Sequence, residues 1–590
     1  MRISCLWVEE RSVKTRALKN EGRHPGQFES KLNCGFEVLR SMKKTRAVRV
    51  FVLVAAFLLS GLVNGGLFAQ SEGTLEQRIK KIMERPEFAH SRFGIEFRSM
   101  DSGKVVYELN AQQLFVPGST TKLLTEGTAL ELLGGDYRFH TKIYRTGPVK
   151  KDGTLDGDLI LVASGDYNLS NRVQPDGTLS FEDMDHSYGG PDSKGLAGDT
   201  LLVVREFAKQ IADKGIKRVK GKLLVDATLF PEGDRELGTG VVISPIIVND
   251  NLIDVIATPG ATVGVPVSLK ISPQTTYVTI VNQATTGPAG SKTSLEYTEE
   301  KLNPDGSRNA TLAGSLALGA RSTMVAYPVP EPSRYAATVL MEALKEKGVR
   351  CAIAAPGDKN DFKMLSANYK PENVVAEHVS PPLREEVKIT LKVSQNLHAS
   401  MTPFVLGALI AHRETQIDQA GFDLENEFLR RGALDLRGAA QSDGAGGNAY
   451  YSPDFMVYYL LYMSKQKGFG DFYRGLPILG KDGTLFKIQV NSPAAGHVHA
   501  KTGTYGVYDA LNKNLMVTGK GLAGYMDTAS GEHLVFALYA NMVAVPLDDP
   551  EATQKIAGEA LGEIASAAYD TSFAAARVSE TTLQAQQSPH

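Results

Sequence analysis

The sequence predicts a mixed α/β fold: a sheet flanked by helices, built from the two ends of the chain and interrupted by a large inserted α/β domain with a small nested β subdomain. Three observations point to it. Strand-like runs stand near the start (91–109) and the end (497–542), with helical periodicity between 387 and 466. Two helix-Lys-Gly-strand units, at 201–225 and 335–354, echo one another across the middle. Between those units, 251–283 alternates Val, Ile and Leu with Gly, Pro and Thr, and 285–321 is rich in Gly, Ser and Thr, the composition of short strands and turns.

Taken in order, the chain opens on a basic stretch, Met42-Lys43-Lys44-Thr45-Arg46, followed from Val50 to Val63 by an apolar run broken only at Ser60 and Gly61. Fourteen such residues are short for a bilayer span and suit the apolar region of a secretory signal. We therefore expect a leader over 1–69, with Met42 as the true start and 1–41 without a role, and export to the periplasm. A helix at 74–84 and a hairpin of 91–99 with 104–109 come next, and Pro117-Gly118 breaks the chain before a core helix, 120–133, that places Ser119 at its first turn. The inserted α/β domain is assigned to 141–255 and 326–379, the nested β subdomain to 256–325. The outer domain, 70–140 and 380–570, resumes with helices at 387–410, 422–431 and 454–466. Strands at 497–508, 516–526 and 532–542 follow, then a helix at 550–569; 571–590 reads as a disordered tail.

Composition narrows the function. The chain of 590 residues is 22% charged and 42% hydrophobic, ordinary globular values. Residues 1–69 hold 12 Lys and Arg against 5 Asp and Glu, which leaves a net charge of −9 on the rest, unsuited to a nucleic-acid partner. Of the cysteines Cys5, Cys34 and Cys351, only the last survives loss of the leader, so neither a disulfide framework nor a Cys-based zinc cluster is open to the mature chain. His497 and His499 share one face of a strand but lack a third ligand, so they read as exposed strand residues, and no metal or cofactor is expected. His398 reads as a packed or solvated helix residue, and Cys351 as an inert thiol at the start of a strand.

Three short motifs carry chemistry. Ser119-Thr120-Thr121-Lys122 sets a hydroxyl and an amine one helical turn apart, at a helix N-terminus whose free N–H groups favour the charge a nucleophilic Ser develops. The pattern alone is weak, since Ser41 with Lys44 and Ser464 with Lys467 also fit it. Lys501-Thr502-Gly503-Thr504 occurs once and lies in an expected strand, where Gly503 lets another backbone come close. Ser394-Gln395-Asn396 adds a second hydroxyl and an amide on an expected helical segment.

The order of these motifs, 275 and then 107 residues apart, resembles the three signatures of serine penicillin-binding proteins and β-lactamases. With the phrases 115–122, 157–162, 225–230, 248–252 and 480–485, the chain from 75 to 570 is similar to the class C low-molecular-mass penicillin-binding proteins. The resemblance implies a transpeptidase-like domain with an antiparallel sheet. It also implies a D-Ala-D-Ala carboxypeptidase or endopeptidase whose partners are peptidoglycan peptides and β-lactams, with peripheral membrane or cell-wall association. By the same resemblance Ser119 is the nucleophile, Lys122 its base and Ser394 a proton relay. Asn396, Lys501, Thr502, Gly503 and Thr504 bind substrate, and the N–H groups of Ser119 and Thr504 form the oxyanion hole. The alternatives are a β-lactamase or esterase-type serine hydrolase and a non-catalytic wall-binding receptor on the same fold. The chain departs from the family at Gln395, often Asp; at Ser400, often acidic; at Ala445 and Gly447 in the Asp443–Gly447 loop; and in the lengthened stretch 512–520. None of these removes a hydroxyl or amine, so they bear on specificity.

Overall fold

A computed structural model describes residues 73–571 apart from 548 and 550; the expected leader over 1–69 and the tail beyond 571 lie outside the described residues. The chain ends do build one sheet, and it is antiparallel throughout. Its strands run in the order Val105–Leu109, Arg92–Ser99, His533–Asn541, Asn514–Asp527 and Val498–Asp509, with Val543–Val545 beside the fourth. The strand carrying Lys501-Thr502-Gly503-Thr504 is therefore an edge strand, with one side of its backbone open for pairing.

Side-chain alternation along His533–Asn541 explains why both faces are covered. Phe536, Leu538 and Ala540 pack with Ile79 and Ile564 of helices Leu75–Met83 and Glu559–Tyr569, while Ala537 and Tyr539 face Leu123, Met401 and Tyr459 of a helical layer. That layer holds Lys122–Leu133, Leu383–Lys392, Asn396–Leu409, Ile417–Arg431 and Pro453–Met463.

Between the two parts lies a second sheet, ordered Arg350–Ile353, Arg218–Asp226, Leu159–Val162, His140–Arg145 and Val374–Val379. The two echo units meet in it. Their strands Arg218–Asp226 and Arg350–Ile353 are parallel neighbours, and their helices Leu202–Asp213 and Pro332–Glu346 share a core with Leu161 and Leu223. Smaller sheets fill the intervening chain: Leu252–Thr258 pairs with Ser268–Ser272, Thr323–Met324 and Tyr327–Pro328, and Val278–Asn282 lies in a three-stranded sheet with Glu296–Leu302 and Arg308–Ala313.

One element differs from the sequence reading in a way that matters for function. The single helix expected over 387–410 is two helices, Leu383–Lys392 and Asn396–Leu409, separated by a turn in which Ser394 has φ +63°. Ser394 is thus a turn residue, and Asn396 is the first residue of the second helix. The Gln395 side chain accepts from Leu397 N at 3.0 Å and caps that helix, which is why the chain restarts there. Three further residues receive definite places. His499 is half-buried and stacks on Tyr473, with centroids 4.3 Å apart, while exposed His497 lies against Tyr569. The Cys351 thiol is half-buried and pushed up to about 11 by burial.

Candidate active site

The turn that carries Ser119 is built by local chemistry. Gly118–Thr121 forms a 3₁₀ turn running straight into helix Lys122–Leu133, so Ser119 sits in that turn just ahead of the α-helix. In a 3₁₀ turn residues three apart eclipse, which brings Ser119 and Lys122 onto one line. The Thr120 and Thr121 hydroxyls fasten the turn by donating to the carbonyls of Pro117, at 3.1 Å, and Gly118, at 3.0 Å. Gly118 has φ +52°, and a Cβ there would lie 2.5 Å from Thr504 N.

Glycine at 503 is dictated by the same packing: a Cβ would stand 1.9 Å from the Pro117 carbonyl oxygen and 3.1 Å from Ser119 N. Gly519 and Gly521 on the neighbouring strand likewise lie against Val116 and Pro117. Edge strand and Ser119 turn are therefore in close backbone contact, Gly118 lying against Thr504 N and Gly503 beside Ser119 N.

Two of the sequence motifs meet at the Lys122 amine, and the third joins them through Ser394 Oγ. Its Nζ lies 3.0 Å from Ser119 Oγ, 3.0 Å from Ser394 Oγ, 2.6 Å from the Ser394 carbonyl and 2.5 Å from Asn396 Oδ1. An ammonium has three protons for these four oxygens, whereas a neutral amine has two protons and a lone pair. Burial drives Lys122 down to about 7, although Glu236, Asp443 and Glu126 pull the other way. Lys501 Nζ donates to Ser394 Oγ at 2.8 Å and to the Thr502 carbonyl at 2.8 Å. It too is held well below its usual value, by burial and then by the charges of Lys122 and Lys520. Ser394 Oγ thus lies between these two amines.

The placement of Thr502 and Thr504 follows from the edge strand. Thr502 Oγ1 donates to Thr484 Oγ1 at 2.7 Å, so the 480–485 phrase orients it, while the Thr504 side of the strand is exposed. Ser119 and Asn396 are partly exposed, whereas Lys122 and Lys501 are fully buried. The Asp443–Gly447 loop also lands here. Asp443 Oδ1 accepts the backbone N–H groups of Ala445, Gly446 and Gly447, and a Cβ on Gly446 would strike the Gly118 carbonyl at 2.0 Å.

Several participants carried no signal in the sequence. Tyr188, from the inserted region, donates its hydroxyl to the Ser394 carbonyl, and Gly238 abuts the Asn396 amide. Behind Ser394 lies a buried charge cluster. Arg172 pairs with Asp185 and Asp250; His186 bridges Asp250, at 2.7 Å, and Asp254, at 2.6 Å; His398 meets Asp250 at 2.9 Å and Glu386 at 2.6 Å. Burial lowers both imidazoles, but the carboxylates override it: His186 ends well above its ordinary value and His398 at about 10. His398 is thus a fully buried cation on a helix. Asp185, His186 and Asp250 lie close enough together to hold a metal ion, yet Arg172 and His398 already occupy those carboxylates. The cluster reaches the Ser394 turn through Gln395, whose amide donates to Asp185 at 3.2 Å.

A partly exposed Ser beside a buried Lys, joined to a second Ser and a Lys-Thr-Gly edge strand, defines an acyl-transfer serine enzyme of the penicillin-binding type. Residues 75–561 match the model of the D-Ala-D-Ala carboxypeptidase 3 (S13) family, and the chain belongs to that family: it is a serine-type carboxypeptidase acting on peptidoglycan. It is 27% identical over 493 residues to a D-alanyl-D-alanine carboxypeptidase of an Actinomadura species, covering 79% of this chain and 81% of the relative. It is 23% identical over 472 residues to the D-alanyl-D-alanine carboxypeptidase DacB of Haemophilus influenzae, covering 76% and 85%. Among solved structures, the penicillin binding protein 4 of H. influenzae superposes with a TM-score of 0.64 at 19% identity, over 83% of this chain and 98% of that one. Among the described residues, no helix is long and apolar enough to cross a membrane.

Proposed function

We propose that Ser119 is the nucleophile of a periplasmic D-Ala-D-Ala carboxypeptidase with endopeptidase capacity, with 70–140 and 380–570 as its acyl-transfer domain and the α/β and β segments as insertions. The observation that carries this reading is the set of distances at Lys122 Nζ, within 3.0 Å of oxygens from all the groups that must exchange the proton. The neutral Lys122 amine takes the Ser119 hydroxyl proton as Oγ bonds to the carbonyl carbon of the penultimate D-Ala. The N–H groups of Ser119 and Thr504 hold the oxyanion, where one donor is worth roughly 3 kcal/mol. Ser394 passes its proton to the amide nitrogen and takes a replacement from the Lys122 ammonium, the C–N bond breaks, and D-alanine leaves with Lys122 neutral again. Water then attacks the Ser119 ester, Lys122 takes its proton, and Ser119 Oγ departs reprotonated.

Asn396 holds the substrate amide, and Lys501, Thr502, Gly503 and Thr504 receive the peptide along the edge strand, its free carboxylate facing the Lys and Thr groups. β-Lactams acylate the same serine in this reading. One solved relative, the H. influenzae penicillin binding protein 4, is described in complex with a novel β-lactam. The basic and apolar leader supports export. The test is labelling of the chain from residue 70 by a fluorescent penicillin, together with D-alanine release from a pentapeptide. Ser119→Ala should abolish both. Equal labelling of the variant refutes the nucleophile, and labelling without D-alanine release refutes the peptidase reading alone.

A further inference from the structure

Lys520 lies at the end of the lengthened stretch 512–520, directly across from Thr504 in the edge hairpin. It is 2% exposed, and its Nζ donates to Thr504 Oγ1 at 2.8 Å and to Gln554 Oε1 at 2.9 Å. Both acceptors are neutral, and no ion pair of Lys520 with a carboxylate exists among the described residues. A buried amine without a counter-charge is costly to keep ionised. Burial accordingly brings Lys520 down to about 8, and its charge in turn lowers Lys501. Lys520 thus lies against Thr504 as Lys122 lies against Ser119, and an incoming anion is the counter-charge that Lys520 lacks.

A hydroxyl has two acceptor sites and one proton. Lys520 fills an acceptor site of Thr504, so the Thr504 proton is left to donate outward, where that residue is exposed on the open side of the sheet. We propose that Lys520 is a positioning residue for carboxylate recognition: it fixes the Thr504 hydroxyl as a donor and adds a second positive charge behind it, selecting substrates with a free carboxylate next to the bond that is broken. This inference rests on the proposed function and assigns part of its specificity to a residue outside the three motifs. Gln554, at the start of the C-terminal helical segment, serves to hold the amine in place.

The test compares acylation rates for benzylpenicillin and its methyl ester, two probes that differ in the carboxylate alone. In the wild-type protein the acid should react faster. Lys520→Gln should lower the acid-to-ester ratio about tenfold, the size of a lost hydrogen bond to a charged group, while ester acylation stays at the wild-type rate and shows that the site is intact. Lys520→Arg should retain most of the ratio. Thr504→Val should lower it as well, with no further loss in the double variant. An unchanged ratio in Lys520→Gln, or a wild-type protein that does not distinguish acid from ester, overturns the inference while Ser119 acylation stands. A wild-type protein acylated by neither probe overturns the underlying function and this inference with it.

Discussion

Replacing Lys122 with Met removes the amine that links Ser119 to Ser394 and Asn396 while keeping a side chain of similar length. An ordinary lysine at 10.5 is neutral at pH 7 in about one molecule in 3,000, whereas at about 7 half the molecules carry a free base, a gain on the order of a thousandfold. Loss of a general base costs about 10²- to 10⁴-fold, so Lys122→Met should be acylated by benzylpenicillin at least a hundredfold more slowly. The sign with pH is fixed by the same shift. Because the lowered amine gains its proton below about 7, the wild-type acylation rate should fall tenfold for each pH step below that value and level off above it. Stopped-flow acylation between pH 5 and pH 8, under single-turnover conditions, reads both effects. A flat wild-type profile, or a Lys122→Met rate within tenfold of wild type, would refute the assignment of Lys122 as base.

Three other expectations follow from contacts around the site. Gly503→Ala puts a methyl 1.9 Å from the Pro117 carbonyl and should cut acylation by at least a hundredfold with little change in circular dichroism. Tyr188→Phe deletes the hydroxyl that donates to the Ser394 carbonyl, worth about 1 kcal/mol, and should lower kcat/KM about fivefold with Tm nearly unchanged. Arg172→Met strands the Asp185 carboxylate in the interior, whereas Asp250 keeps His186 and His398, and should cost about 3–5 kcal/mol in urea unfolding, while EDTA leaves wild-type Tm and activity unaltered.

Much of this architecture was legible in the residues. Period-two and period-3.6 patterns located the hairpin, the edge strand and most helices to within a few residues, and Gly503 in a strand signalled the close backbone that the Pro117 contact supplies. The turn at Ser394 was not legible, because Val387, Leu391, Val393 and Leu397 keep apolar spacing across it and no Gly or Pro interrupts them. The break is set instead by the Gln395 cap and by tertiary contacts with Lys122, Tyr188 and Asp185. The charge cluster escaped for a related reason. Arg172, Asp185, His186, Asp250, Glu386 and His398 are ordinary polar residues spread over more than 200 positions, and only the folded chain makes them neighbours.

Ser119 and Ser394 are separated by 275 residues of chain yet linked through one amine. Everything between them must first collapse and bring its two ends together, a long-range closure that is slow compared with helix formation. Penicillin capture during refolding from urea is therefore a stopwatch for the last stage of assembly, lagging the recovery of far-ultraviolet ellipticity. A half-built chain in transit carries an inert hydroxyl.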